Sequence, residues 1–217
     1  MDNSFKWPAA LLARSTENLA AQIESTDALV QHGKGPLRSL RKSNHAAIER
    51  FLCTEKSMPI ENDIRQGLAL LPPQMGIRPA RVLLFAINLQ ENPNRYEQQV
   101  GGPARGDYQF EKGGGVKGVM THSASRAMTI DVCRARGVAF DAEAIYKAIG
   151  RDPVLAAALA RLLIWTDPKP LPAATDEQGA WELYLRTWRP GAYARQPEEL
   201  RAKFKRNHAS ALKAMPA

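Results

Sequence analysis

A mainly α fold, with at most a small β-hairpin lobe, is predicted for this 217-residue chain. Three observations lead there. Apolar residues recur at helical spacing through most of the chain after Met58, and alternating strand patterns are scarce. Proline, glycine and aspartate also punctuate the periodic segments where helices would start or stop.

Residues 1–57 read as an appendage. One helix is expected from about Ala9 to Gln31, where Leu12, Leu19, Ile23 and Val30 keep close to the helical period. A basic stretch follows from Gly33 to Lys42, opened by the breakers Gly33, Gly35 and Pro36, and then a short helix from about Asn44 to Leu52. This appendage is either a docking or targeting arm or an ordered extension of the domain behind it. Residues 58–217 form one domain with helices expected over Glu61–Leu71, Pro79–Gln90, Ser123–Arg136, Asp141–Ile149, Asp152–Trp165, Glu177–Trp188 and Glu198–Leu212. Pro153 sits at a permitted first-turn position after Asp152, a suitable cap, and the body from Val154 to Trp165 is apolar almost all round, as in a buried central helix. Only Arg95 to Met120 has room for a small hairpin.

The segment richest in chemical content runs from Val82 to Phe110. Leu84, Ile87 and Glu91 fall at i, i+3 and i+7 on one helical face, so Glu91 extends a core stripe. Asn92-Pro93-Asn94 then stops the helix, because proline lacks a backbone donor and pushes the residue before it out of the α region. A carboxylate held where packed helix meets open loop is half desolvated, and desolvation raises its pKa toward that of a general acid. The plainer alternative is a solvated Glu at a helix end followed by a glycine-rich surface loop.

Gly106 follows Glu91 by fifteen residues and Gln109 by eighteen, within the turn Gly106-Asp107-Tyr108-Gln109-Phe110. That spacing resembles the gap-free interval between the Glu of the E-S signature and the G-L-M-Q signature of soluble lytic transglycosylases, within the lysozyme-like superfamily. The stretches Gly101-Gly102-Pro103-Ala104-Arg105-Gly106 and Gly113-Gly114-Gly115 are similar to phage and prophage lytic proteins. The resemblance implies a lysozyme-like domain with Glu91 as catalytic acid/base, and Gly106, Tyr108 and Gln109 as the turn lining a sugar cleft. The chain departs from the family's pattern at Asn92, which stands where the family has Ser, and at Asp107-Tyr108 in place of Leu-Met. The later A-Y-N-x-G motif is reduced to Tyr184 with Gly191 downstream.

Trp181, Tyr184 and Trp188 share one face of a helix. Tyr184 and Trp188 are candidates for stacking on sugar rings; the alternative for the whole stripe is core packing. Glu97, Asp107 and Glu111 are the candidates for a second carboxylate, and none occupies a defensible position. Transglycosylases of the resembled family work with one Glu, so the expected activity is cleavage of the β-1,4 bond between N-acetylmuramic acid and N-acetylglucosamine in peptidoglycan. A muramidase of the same fold, or a non-catalytic virion or tail protein that binds the wall, are the alternatives.

Composition narrows the remaining classes. The net charge of +8 implies an anionic partner, which the resemblance makes peptidoglycan rather than nucleic acid, with virion proteins as further partners of the appendage. No cofactor or metal is expected. His32, His45, His122 and His208 are isolated, and neither Lys112 nor Lys117 is followed by the Ser or Thr of a phosphate-binding loop. His122 is a further candidate for the cleft rim. The cysteines Cys53 and Cys133 have no metal spacing and fit free thiols of a reducing compartment. No membrane span is expected, and the apolar patch Trp7–Ala13 is a poor secretory signal. Such a protein, made in a bacterial host's cytoplasm, reaches the periplasmic wall by holin release or from the virion.

Overall fold

The computed structural model describes residues 59–216. The helices expected over Ala9–Gln31 and Asn44–Leu52, the basic stretch Gly33–Lys42 and Cys53 lie outside the described residues. Within them the fold is mainly α, with eight α-helices: α1 Pro59–Ala69, α2 Arg78–Glu91, α3 Lys117–Thr121, α4 Arg126–Ala135, α5 Ala142–Ala148, α6 Pro153–Trp165, α7 Glu177–Trp188 and α8 Pro197–Ala214. No helix among the described residues is long and apolar enough to cross a membrane.

Local chemistry sets most of the boundaries. Asp152 caps α6 by accepting from the Leu155 amide at 3.0 Å, and Pro153 opens the first turn. Asp141 accepts from the Glu143 and Ala144 amides, both at 3.0 Å, and Asp176 accepts from Gly179 at 2.9 Å. Asp141 is exposed and makes no ion pair among the described residues, so Asp141→Ala isolates the cap. It is expected to cost about 1 kcal/mol in denaturant unfolding, with the midpoint lowered and the slope unchanged.

α6 is the central helix. Every side chain from Val154 to Leu162 is buried, including the Arg161 guanidinium that interrupts the apolar run. Arg161 Nε donates to the Met75 carbonyl at 3.0 Å, and burial lowers its pKa to about 10. α1 packs along α6, and α8 packs along α2. The last pair runs antiparallel with reciprocal end contacts: Arg78 Nε at the start of α2 donates to the Met215 carbonyl at 2.9 Å, and Lys203 Nζ of α8 donates to the Gln90 carbonyl at 2.6 Å near the end of α2. Each cation sits on carbonyls that a helix end leaves without intrahelical donors.

The small hairpin expected within Arg95–Met120 does not form a ladder. Two isolated antiparallel bridges, Gln98 with Arg105 and Arg105 with Phe110, are all that pair there. A π-helical turn, Lys112–Val116, then leads into α3. Pro103 lacks an amide donor, and three successive glycines leave Lys112–Val116 without side chains that would hold an extended strand. α4 likewise starts at Arg126 rather than Ser123, because His122–Ser125 turns and the Ser125 hydroxyl donates to the Val119 carbonyl at 2.8 Å.

Candidate active site

Glu91 is the last residue of α2, on the face that buries Leu84 and Ile87 completely. Asn92 leaves the helix at φ −150° and is itself buried. Its amide nitrogen donates to the Tyr96 carbonyl at 2.8 Å and to the Gly106 carbonyl at 3.1 Å, and its oxygen accepts from the Tyr96 amide at 3.0 Å. Asn92 therefore clamps the helix end to the turn that follows fourteen residues later. One turn earlier, Asn88 Nδ2 donates to the Asp107 carbonyl at 3.0 Å. Two amides at i and i+4 thus fix the glycine turn against the carboxylate-bearing helix.

The turn has a shape of its own. Gly106 has φ +70°, and a Cβ there would run into the Ile149 carbonyl oxygen. Gln109 is also left-handed at φ +49°, and its Nε2 returns to the Gly106 carbonyl at 2.9 Å. Arg95 grips the Asp107 carboxylate with Nε and Nη2, the closest contact being 2.7 Å, and reaches Asp63 of α1 at 2.5 Å. Asp107 is thus an anchor buried under an arginine.

α7 brings the aromatic face. The Tyr184 hydroxyl donates to Glu91 Oε1 at 2.5 Å, across ninety-three positions of sequence. Trp188 stacks on Tyr184 with ring centroids 6.3 Å apart and on Phe110 at 6.1 Å, and its indole nitrogen donates to the Tyr108 carbonyl at 3.0 Å. Glu91 keeps part of its surface open, yet protein surrounds it closely enough that desolvation dominates. Its pKa is raised to about 7, with the Tyr184 hydroxyl and then the Lys203 ammonium pulling the other way. A carboxyl with that balance exchanges its proton near neutral pH.

The other expected site residues divide. Gly106 and Gln109 shape the turn beside Glu91. Tyr108 is fully buried and its hydroxyl has no partner among the described residues, so the sugar-lining role expected of it does not fit its side chain; only its carbonyl serves the site. Tyr184 is 1% exposed, which turns it from a stacking platform into a partner for Glu91, while Trp188 stays half-buried and Trp181 belongs to the core with Phe204. Glu97 is mostly exposed and paired with Arg151, and Glu111 is exposed. His122 is exposed and its Nδ1 accepts from the Ala124 amide at 3.2 Å; no contact joins it to Glu91. Among the described residues no three His, Cys, Asp or Glu side chains converge as metal ligands.

Several positioning residues were not expected: Asn88, Asn92, Arg95, Gln90 and Lys203. A signal existed for the first two: Asn88 is a polar amide inside an otherwise apolar helical run, and Asn92 stands at the helix stop before Pro93. Two concavities, of about 270 Å³ beside Arg95 and Gly150 and about 470 Å³ beside Trp165 and Leu171, do not include Glu91. No family model matches the chain, and neither a curated protein nor a solved structure matches it.

Proposed function

We propose that residues 58–217 are a peptidoglycan-cleaving, lysozyme-like domain of phage origin that acts as a lytic transglycosylase through Glu91. The observation that carries this reading is the Glu91–Tyr184 pair: a desolvated carboxyl at a helix end, with one oxygen held at 2.5 Å and the other free of partners among the described residues. Oε2 then carries the transferable proton. In the first step Glu91 protonates the glycosidic oxygen as the bond from the muramic acid C1 breaks. In the second, the resulting carboxylate takes the proton of that sugar's own 6-hydroxyl, whose oxygen closes on C1 to give a 1,6-anhydro ring and returns Glu91 to its acid form. The Tyr184 hydrogen bond favours the intermediate carboxylate, so it serves the step in which Glu91 is a base.

The one-carboxylate route is supported by what the other acids do. Asp107 is held by Arg95, and Glu97 and Glu111 face solvent. Wall-lytic zymography tests the activity, and mass spectrometry of the released muropeptides tests the route. 1,6-Anhydro products are expected, and Glu97→Gln and Glu111→Gln should each retain activity within about tenfold, a barrier change of roughly 1.4 kcal/mol. A reducing-end muramic acid product would make the protein a muramidase instead, and an inert parent would leave a wall-binding module.

A further inference from the structure

Two side chains of α8 converge on the residue before Glu91. Lys203 Nζ donates to the Gln90 carbonyl at 2.6 Å, and Asn207 Nδ2 donates to Gln90 Oε1 at 2.9 Å. Gln90 is only 4% exposed. With its oxygen taken by Asn207, the amide leaves Nε2 buried and without a hydrogen-bond partner among the described residues. Burial above all, then the Glu91 carboxylate, keep the Tyr184 phenol protonated well beyond the usual tyrosine range. The hydrogen bonds thus run from Lys203 and Asn207 of α8 to Gln90 at the end of α2, and from Tyr184 of α7 to the neighbouring Glu91.

A surface helix does not need a lysine confined in this way. Holding a long side chain in one rotamer costs entropy, and any strong helix former would satisfy α8 at this position. What Lys203 does here is place a cation on the negative end of α2 and beside the Glu91 carboxylate. The groups facing Glu91 are the Tyr184 hydroxyl from α7 and the Lys203 ammonium from α8. On the other helices packed against α2, Asp63 of α1 is engaged with Arg95 and Arg161 of α6 with the Met75 carbonyl.

We propose that α8 is a working part of the acid site, with Lys203, and Asn207 acting through Gln90, as positioning residues that hold Glu91 and Tyr184 in register. This rests on the proposed acid/base role of Glu91. Sequence distance hides the arrangement, since Lys203 and Glu91 are more than a hundred residues apart.

The test reads Glu91 directly and without substrate. The side-chain carboxyl of Glu91 is followed by carbon-13 NMR titration of the full chain, with Glu91→Gln used to assign the resonance. The Glu91 midpoint is expected to rise by roughly one pH unit in Lys203→Met, to stay near the parent's in Lys203→Arg, and to rise by less in Asn207→Ala. The pH profile of wall lysis should shift in the same direction, which a merely structural role for α8 would not produce. A parental midpoint in folded Lys203→Met overturns the proposal; should that variant not fold, Lys203→Gln makes the same comparison. If the midpoints move as expected while the parent leaves walls intact, the proposed function fails and the positioning network stands.

Discussion

Glu91→Gln is expected to lower wall-lytic activity by about 10²–10⁴-fold, the range for loss of a general acid/base, while making the protein more stable at alkaline pH. Both effects have one cause. The amide keeps the shape of the side chain and can still accept from Tyr184, but it carries no transferable proton. The carboxyl, in turn, has a pKa raised from about 4.5 to about 7 by burial. Between those values the native state binds a proton that the unfolded chain has released, so stability falls as pH rises through this window and the penalty is complete above about 7. Removing the charge relieves that penalty, by about 1–3 kcal/mol at pH 8 and by almost nothing at pH 4. Denaturant unfolding at the two pH values, beside zymography at pH 7, checks the pair. A variant that is inactive yet no more stable at pH 8 would mean that Glu91 is not desolvated as described, and a variant that clears walls at the parental rate would end the acid assignment.

Gly106→Ala should be the most damaging of the conservative changes at the turn, with a loss of about 3 kcal/mol and lytic activity falling with it. Two separate costs add. The left-handed φ of +70° is worth roughly 1–2 kcal/mol against any residue with a Cβ, and that Cβ meets the Ile149 carbonyl, a backbone atom that cannot swing away. Gly101 provides the control. It has nearly the same φ, +71°, but open space around it, so Gly101→Ala should show the first cost alone. Activity suffers at Gly106 in particular because its carbonyl is the acceptor through which Asn92 fixes the end of α2. Equal losses in the two variants, measured by unfolding midpoint, would show that the close approach to Ile149 contributes nothing.

Much of the architecture could be read before any coordinates. The helix Glu177–Trp188 has the bounds its periodicity suggests, α2 is longer than expected by one residue at each end, α6 starts one residue later, and Asp152 caps as its place before Pro153 implies. These features depend on groups within about four residues of each other, which is the range of helical hydrogen bonds and caps. The loop from Arg95 to Met120 was less legible. Its glycines permit many conformations, and the one adopted is selected by distant atoms such as the Ile149 carbonyl and the Arg95–Asp107–Asp63 ion pairs.

The amino-acid sequence by itself therefore determined the helical class, the core stripe that ends in Glu91, the stop at Asn92-Pro93 and the glycine-bearing turn, since each is written in local periodicity or backbone restriction. Tertiary structure decided what surrounds the carboxylate. Tyr184 and Lys203 approach Glu91 from helices roughly a hundred residues later, Asn92 closes onto Gly106, and Tyr108 turns into the core rather than toward the opening. The physical reason is that a pKa depends on desolvation and on charges within a few ångströms in space, and no spacing rule along a chain states which distant side chains will supply them.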